Sequence, residues 1–143
     1  MTTGQKILIP CDGSANAERA VKHVLEQIKA GHTAELHIIN VQPPISGDVS
    51  TFVGRGTIEG YHKDEAEKSL AATKRLLDSA GVAYKVHISV GNPGDVIAHF
   101  AKQLGITQIV MGTRGLGSAF GLLLGSVAQH VISHVDIPVT LVK

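Results

Sequence analysis

Residues 108–127 read QIVMGTRGLGSAFGLLLGSV, and this stretch decides what kind of fold the chain can have. Gln108 to Met111 is a short apolar run with the character of a buried strand. Gly112-Thr113-Arg114-Gly115 ends it in a glycine turn. After nine further residues Gly125-Ser126 opens Val127 to Val135, which reads as a short helix. A strand end, a glycine turn, a loop and a helix start make a chemical unit. Glycines let backbone N–H groups approach an anion with no Cβ in the way. A helix start adds unpaired N–H donors and a favourable dipole. Ser126 can add a hydroxyl and Arg114 a charge.

The same alternation extends over the rest of the chain. Lys6 to Pro10 reads as a strand, followed by the turn Asp12-Gly13-Ser14, with Ser14 placed to cap a helix. Ala15 to Ala30 carries apolar residues at helical spacing, and Gly31 stops it. Glu35 to Val41 is a second strand. Pro43 to Thr57 is irregular and long for a compact domain. Ile58 to Ala80 is a helix of mixed charge, whose charged residues from Glu59 to Arg75 read as a solvated face. Tyr84 to Val90 is a third strand, Asp95 to Leu104 a helix, and Pro138 to Val142 a fifth strand. Five short strands, apolar on both faces and alternating with helices, predict one α/β domain over residues 1–143. Its open parallel sheet should be covered on both sides. In such a sheet ligands bind at the carboxyl ends of the strands, where strand order reverses. If strands one and four are neighbours, the loops at Cys11–Ser14 and Gly112–Gly115 share a crevice.

Composition excludes several functions. The net charge is +1 and no basic run exceeds two residues, so the basic face that nucleic acid requires is missing. Five aromatics, with no Trp, are a poor stock for stacking single strands. No apolar run approaches the roughly 20 residues of a membrane span. The opening Met-Thr-Thr-Gly-Gln-Lys lacks signal-peptide architecture, and the lone Cys11 has no disulfide partner within the chain. Together these point to a cytoplasmic location.

Two familiar phosphate loops are absent. A Walker A loop needs Gly-Lys-Ser/Thr, and the chain has no Gly-Lys pair. A Rossmann fingerprint would need a small residue where Phe120 stands, and would follow the first strand, not the fourth. The spacing Gly112-x2-Gly115-x9-Gly125-Ser126 instead resembles the signature of the ATP-binding universal stress proteins. The likeness covers nearly the whole chain: ILIPCDGSANAERAVKHV, GNPGDVI, IVMGTRG and LGSVAQHVISHVDIPVTLVK each resemble family segments.

That resemblance implies a five-stranded parallel sheet of order 3-2-1-4-5, with helices on both faces, like the adenine nucleotide alpha hydrolase folds. It implies a site formed by Pro10, Asp12, Val41, Met111, Gly112, Arg114, Gly115, Gly125, Ser126 and Val127. Asp12 would lie beside ribose and adenine, Val41 would line the adenine pocket, and Met111 and Gly112 would flank base and sugar. Gly115, Gly125, Ser126 and Val127 would meet the phosphates. It further implies ATP as ligand, with Mg or Mn held through the phosphates, and a homodimer joined through the last strand. An edge of Val139, Leu141 and Val142 calls for a partner on physical grounds as well. One departure is Gln108, where many members carry an acidic residue.

Other readings of the same residues stay open. The glycines also serve tight turns, Ser126 and Asp12 also serve as helix and turn caps, and Arg114 also fits a solvated surface. Cys11 as a nucleophile would need an activating base, and none is adjacent. His130 and His134 share a helix face. His37 and His87 would lie side by side if strands two and three pair, but two histidines are too few for a structural metal site. No Asp or Glu lies between Gly112 and Ser126. A base for ATP hydrolysis is therefore not evident, and a binding protein is expected ahead of a slow hydrolase or a nucleotide-free interaction module.

Overall fold

The computed structural model describes residues 4–45, 54–114 and 124–143. Its elements run β1 (Gln5–Pro10), α1 (Ala15–Lys29), β2 (Ala34–Gln42), α2 (Arg55–Ser79), β3 (Tyr84–Val90), α3 (Pro93–Gln103), β4 (Gln108–Gly112), α4 (Ser126–His134) and β5 (Val139–Val142). The five strands form one sheet in the order β3-β2-β1-β4-β5. Every pair is parallel, with Ile7 opposite Gln108 and Pro10 opposite Ile39. β1 and β4 are thus neighbours, as a shared crevice requires, and the order reverses at β1.

Alternation along the central strands fills two cores. Ile7 and Ile9 turn to one face and pack with Leu36, Ile38 and Val110 against α1 and α2. Leu8 turns to the other face and packs with Ile39, Ile109 and Met111 against α3 and α4. Leu8 and Ile9 are fully buried. Truncating either to Ala would cost about 2–5 kcal/mol. These strands are apolar on both faces because helices cover both.

The outer strand departs from that expectation. β3 is an edge, and Val86, Ile88 and Val90 are 38–45% exposed along one side of it. On its other side His87 Nε2 lies 2.9 Å from His37 Nδ1, and the two rings stack at 5.1 Å. His37 Nε2 donates to Glu35 Oε2 at 2.8 Å. The two histidines do meet across β2 and β3, and burial followed by the charges of His37 and Lys85 lowers the His87 pKa. His130 and His134 stack at 4.1 Å, and His130 Nε2 pairs with Asp95 Oδ1 at 2.6 Å. Among the described residues no group of three His, Cys, Asp or Glu side chains could hold a metal. Nor is any helix there long and apolar enough to cross a membrane.

Most element boundaries differ from the sequence reading by a residue or more, and three of the differences have a local cause. α2 begins at Arg55, inside the stretch expected to be loop to Thr57, because the Gly54 carbonyl accepts from Thr57 N and Ile58 N at 3.0 and 3.1 Å. α3 begins at Pro93, not Asp95. Pro at the first helical position leaves no donor unpaired, and Asn92 caps the Asp95 N–H at 3.2 Å. β5 begins at Val139, although the Pro138 carbonyl already accepts from Ile109 N at 3.0 Å.

Candidate functional site

At the carboxyl ends of β1, β2 and β4 lies a cleft of ≈ 650 Å³. It sits where the strand order reverses, the position physical argument assigns to ligands in such sheets. Its floor follows from strand geometry. Pro10 ends β1, Val41 comes one residue before the end of β2, and Met111-Gly112 end β4; all four line the cleft. Asp12 enters from the β1–α1 turn, where its Oδ1 accepts from Ser14 N at 2.9 Å. Arg114, exposed, enters from the end of β4, and Gly125, Ser126 and Val127 enter from the start of α4. Nine of the ten residues expected from the sequence are therefore brought to one cleft, and the tenth, Gly115, lies outside the described residues.

One hydrogen bond holds the start of α4 to the end of β4, and a second holds that end to β5. Gly125 N donates to the Thr113 carbonyl at 2.6 Å, and Thr113 N donates to the Val142 carbonyl at 3.0 Å. The start of α4 is thereby fixed against the end of β4. Among the described residues no side chain caps α4, and its first intrahelical bond runs from Gln129 N to Gly125 O at 3.1 Å. The helix itself therefore offers no acceptor to the N–H groups of Ser126, Val127 and Ala128. Those three donors, the dipole behind them and the Arg114 guanidinium suit a ligand with a strongly anionic end.

The sequence reading missed part of the wall. Asn40, 2% exposed, donates from Nδ2 to the Cys11 carbonyl at 2.8 Å, and Gln42 Nε2 donates to Asn40 Oδ1 at 2.7 Å. This buried polar strut ties β2 to the β1–α1 turn beneath the ligand space. Its signal was present, since Asn40 and Gln42 interrupt an apolar strand at a spacing of two. Pro93 and Ile97 of α3 and Tyr61, Glu65 and Ser69 of α2 also line the cleft. Glu65 is thus an exception to the solvated face expected of the α2 charges. Cys11 is 2% exposed. Burial pushes its thiol up to about 12, the nearby Asp12 charge adds to this, and a hydrogen bond with Thr73 opposes it. Its Sγ donates to the Ile9 carbonyl at 3.4 Å, so it presents no thiolate for nucleophilic chemistry.

A parallel 3-2-1-4-5 sheet with helices around it and a cleft at its switch point defines a class of α/β protein. The comparisons narrow the class. The sequence pattern of the Universal stress protein family matches residues 4–143, and the chain belongs to that family. Universal stress protein MJ0531 of Methanocaldococcus jannaschii is 36% identical over 145 residues, covering 97% of this chain and 82% of that protein. The solved structure of MJ0577 from the same organism is 31% identical and superposes with a TM-score of 0.83, covering 99% of this chain and 97% of the other. A universal stress protein solved in complex with cAMP is 28% identical, with a TM-score of 0.70 and 99% of each chain covered.

Proposed function

We propose that this chain is a cytoplasmic nucleotide-binding regulatory protein. It takes ATP in the cleft, with Mg or Mn carried by the phosphates, and is built as one domain over residues 1–143. The observation that carries the reading is the start of α4, where three backbone donors and Arg114 stand beside a cleft that Asp12 also lines. The relative solved with cAMP supports an adenine nucleotide as the class of ligand. Ser126, Val127 and Gly125 would meet the phosphates, and Val41, Pro10 and Met111 would enclose the base. The metal would come with the phosphates, because the described residues offer no protein ligand set of their own. Binding without rapid hydrolysis is expected, since residues 112–126 contain no carboxylate to orient water at a γ-phosphate. β5, which among the described residues pairs with β4 alone at the edge of the sheet, would join two copies as a homodimer.

Calorimetric titration of nucleotide-free protein with Mg-ATP tests this. Micromolar binding to the natural chain, lost in Gly125→Val with the fold retained, is the expected result. No binding by the natural chain, with the fold intact, would overturn it and leave an interaction module.

A further inference from the structure

The α4 start accounts for one end of the cleft; the other is walled by α2. Tyr61, Glu65 and Ser69 line it, four residues apart, so they stack along one stripe of the helix. Two contacts pin that stripe to the strand ends. Ser69 packs on the Asp12–Gly13 turn, where a Cβ placed on Gly13 would lie 3.4 Å from the Ser69 Cα. His62, 7% exposed, puts Nε2 3.1 Å from the Pro43 carbonyl just beyond β2. Glu65 lies between these pins, and Lys68 Nζ donates to its Oε1 at 3.3 Å. The cleft is therefore bipolar. Glu65 stands on the α2 side, where α2 is pinned just beyond β2, the cationic, N–H-rich side lies at Arg114 and α4 beyond β4, and Asp12 follows β1 between them.

An ionised carboxylate only accepts hydrogen bonds. It favours the part of a ligand that carries donors and repels phosphate. In a nucleotide the donors are the ribose hydroxyls and the exocyclic amine of the base. We infer that Glu65 is a specificity-determining residue of this cleft, accepting a hydrogen bond from a donor on the nucleoside half of the ligand while the α4 start takes the phosphates. Tyr61, one turn earlier in α2, bounds the same half with its ring. The inference rests on the nucleotide reading of the cleft and adds to it the group that selects the nucleoside.

The test is a titration of the natural chain, Glu65→Ala and Glu65→Gln with four probes: ATP, inosine triphosphate (which lacks the amine), 2′-deoxy-ATP and 3′-deoxy-ATP. Thermal melts confirm that each variant folds. Glu65→Ala should weaken ATP about tenfold, the worth of one charge-assisted hydrogen bond, and Glu65→Gln should recover part because an amide oxygen still accepts. In the natural chain one analogue should bind about tenfold more weakly than ATP, and Glu65→Ala should erase that penalty. The analogue affected identifies the donor as amine or hydroxyl. ATP affinity unchanged in Glu65→Ala would overturn the inference and leave the nucleotide reading standing. A weakened ATP affinity with every analogue penalty intact would overturn it too, since Glu65 would then act on the helix and not on the ligand. Failure of the natural chain to bind any probe would bring down both.

Discussion

Two helices begin at the rim of the same cleft, and they begin differently. α1 closes its own start: Ser14 Oγ accepts from Ala17 N at 3.2 Å, and Asp12 Oδ1 accepts from Ser14 N at 2.9 Å. α4 begins at Gly125 with no side-chain cap among the described residues, and the bond from Gly125 N to Thr113 O holds it to β4. Both follow a strand of one sheet, and both face the ligand space. The chain supplies acceptors where a helix start has only to be held. It withholds them at α4, where on the proposed reading a ligand supplies its own. The glycines divide in the same way. Gly13 has φ +86°, a conformation that side chains strain to adopt, and Gly112 lies so close to α1 that a Cβ would come within 2.7 Å of Asn16 Cβ. Gly125, at φ −72° and ψ 165°, has a backbone open to any residue. Its bare α-carbon is better explained by what must approach it than by its conformation.

The sharpest way to break the contrast is to make α4 start as α1 does. Asp is among the best N-caps, so Gly125→Asp should leave the melting temperature unchanged or slightly raised. It should also satisfy a donor that the proposed reading gives to phosphate, and place a negative charge beside it. ATP affinity should then fall about a hundredfold, roughly 2.8 kcal/mol. Calorimetry and a thermal melt on one preparation read both effects. A well-folded Gly125→Asp protein that binds as tightly as the natural chain would mean that the α4 start is not the phosphate site.

Gly112 tests the other half of the contrast. Its added methyl would meet Asn16 Cβ at 2.7 Å and the Asn16 backbone carbonyl carbon at 2.9 Å, and a helix backbone cannot step aside as a flexible side-chain end can. Gly112→Ala should therefore cost about 1–3 kcal/mol of stability, the usual price of overpacking. Urea unfolding would show it as a lower midpoint at constant slope. A stability equal to that of the natural chain would put Gly112 with Gly125, kept for the ligand and not for packing.

This division between glycines was only half legible in the sequence. The spacing of Gly112, Gly115 and Gly125 pointed to the cleft, because strand ends and helix starts have fixed geometry and a glycine between them narrows the choice. The spacing did not show that Gly112 is held by Asn16, ninety-six positions earlier, since close approach between α1 and β4 is a tertiary fact. The strands and their order were readable from apolar runs and from the family resemblance. The start of α2 was not, because Gly54, Gly56 and Thr57 are poor helix formers and the Gly54 carbonyl, not propensity, begins that helix. Glu65 was hidden for a related reason. It stands among Lys63, Asp64, Glu67 and Lys68, and composition alone cannot say which of five charges on a helix faces a cleft. The exposed row on β3 was missed because a run of β-branched residues looks the same at an edge as in the middle of a sheet.

The smallest expected effect falls on the capped helix. Ser14→Ala removes the acceptor of Ala17 N, and the loss of such a cap costs about 1 kcal/mol. Ser14 also lines the cleft, so the same variant can be read in affinity as well as in stability. If the two helix starts divide the work as their hydrogen bonds indicate, stability and affinity will separate. The melting temperature should drop, while ATP affinity changes by no more than about twofold, less than the stability loss expressed as an equilibrium constant. The backbone explains why: the Ser14 N–H still bonds to Asp12 Oδ1, and the Ser14 carbonyl still accepts from Glu18 N at 3.2 Å, so the turn that carries Asp12 keeps its shape without the hydroxyl. An affinity loss larger than the stability loss would show that the cap at α1 also serves the ligand, and that the two helix starts differ in degree and not in kind.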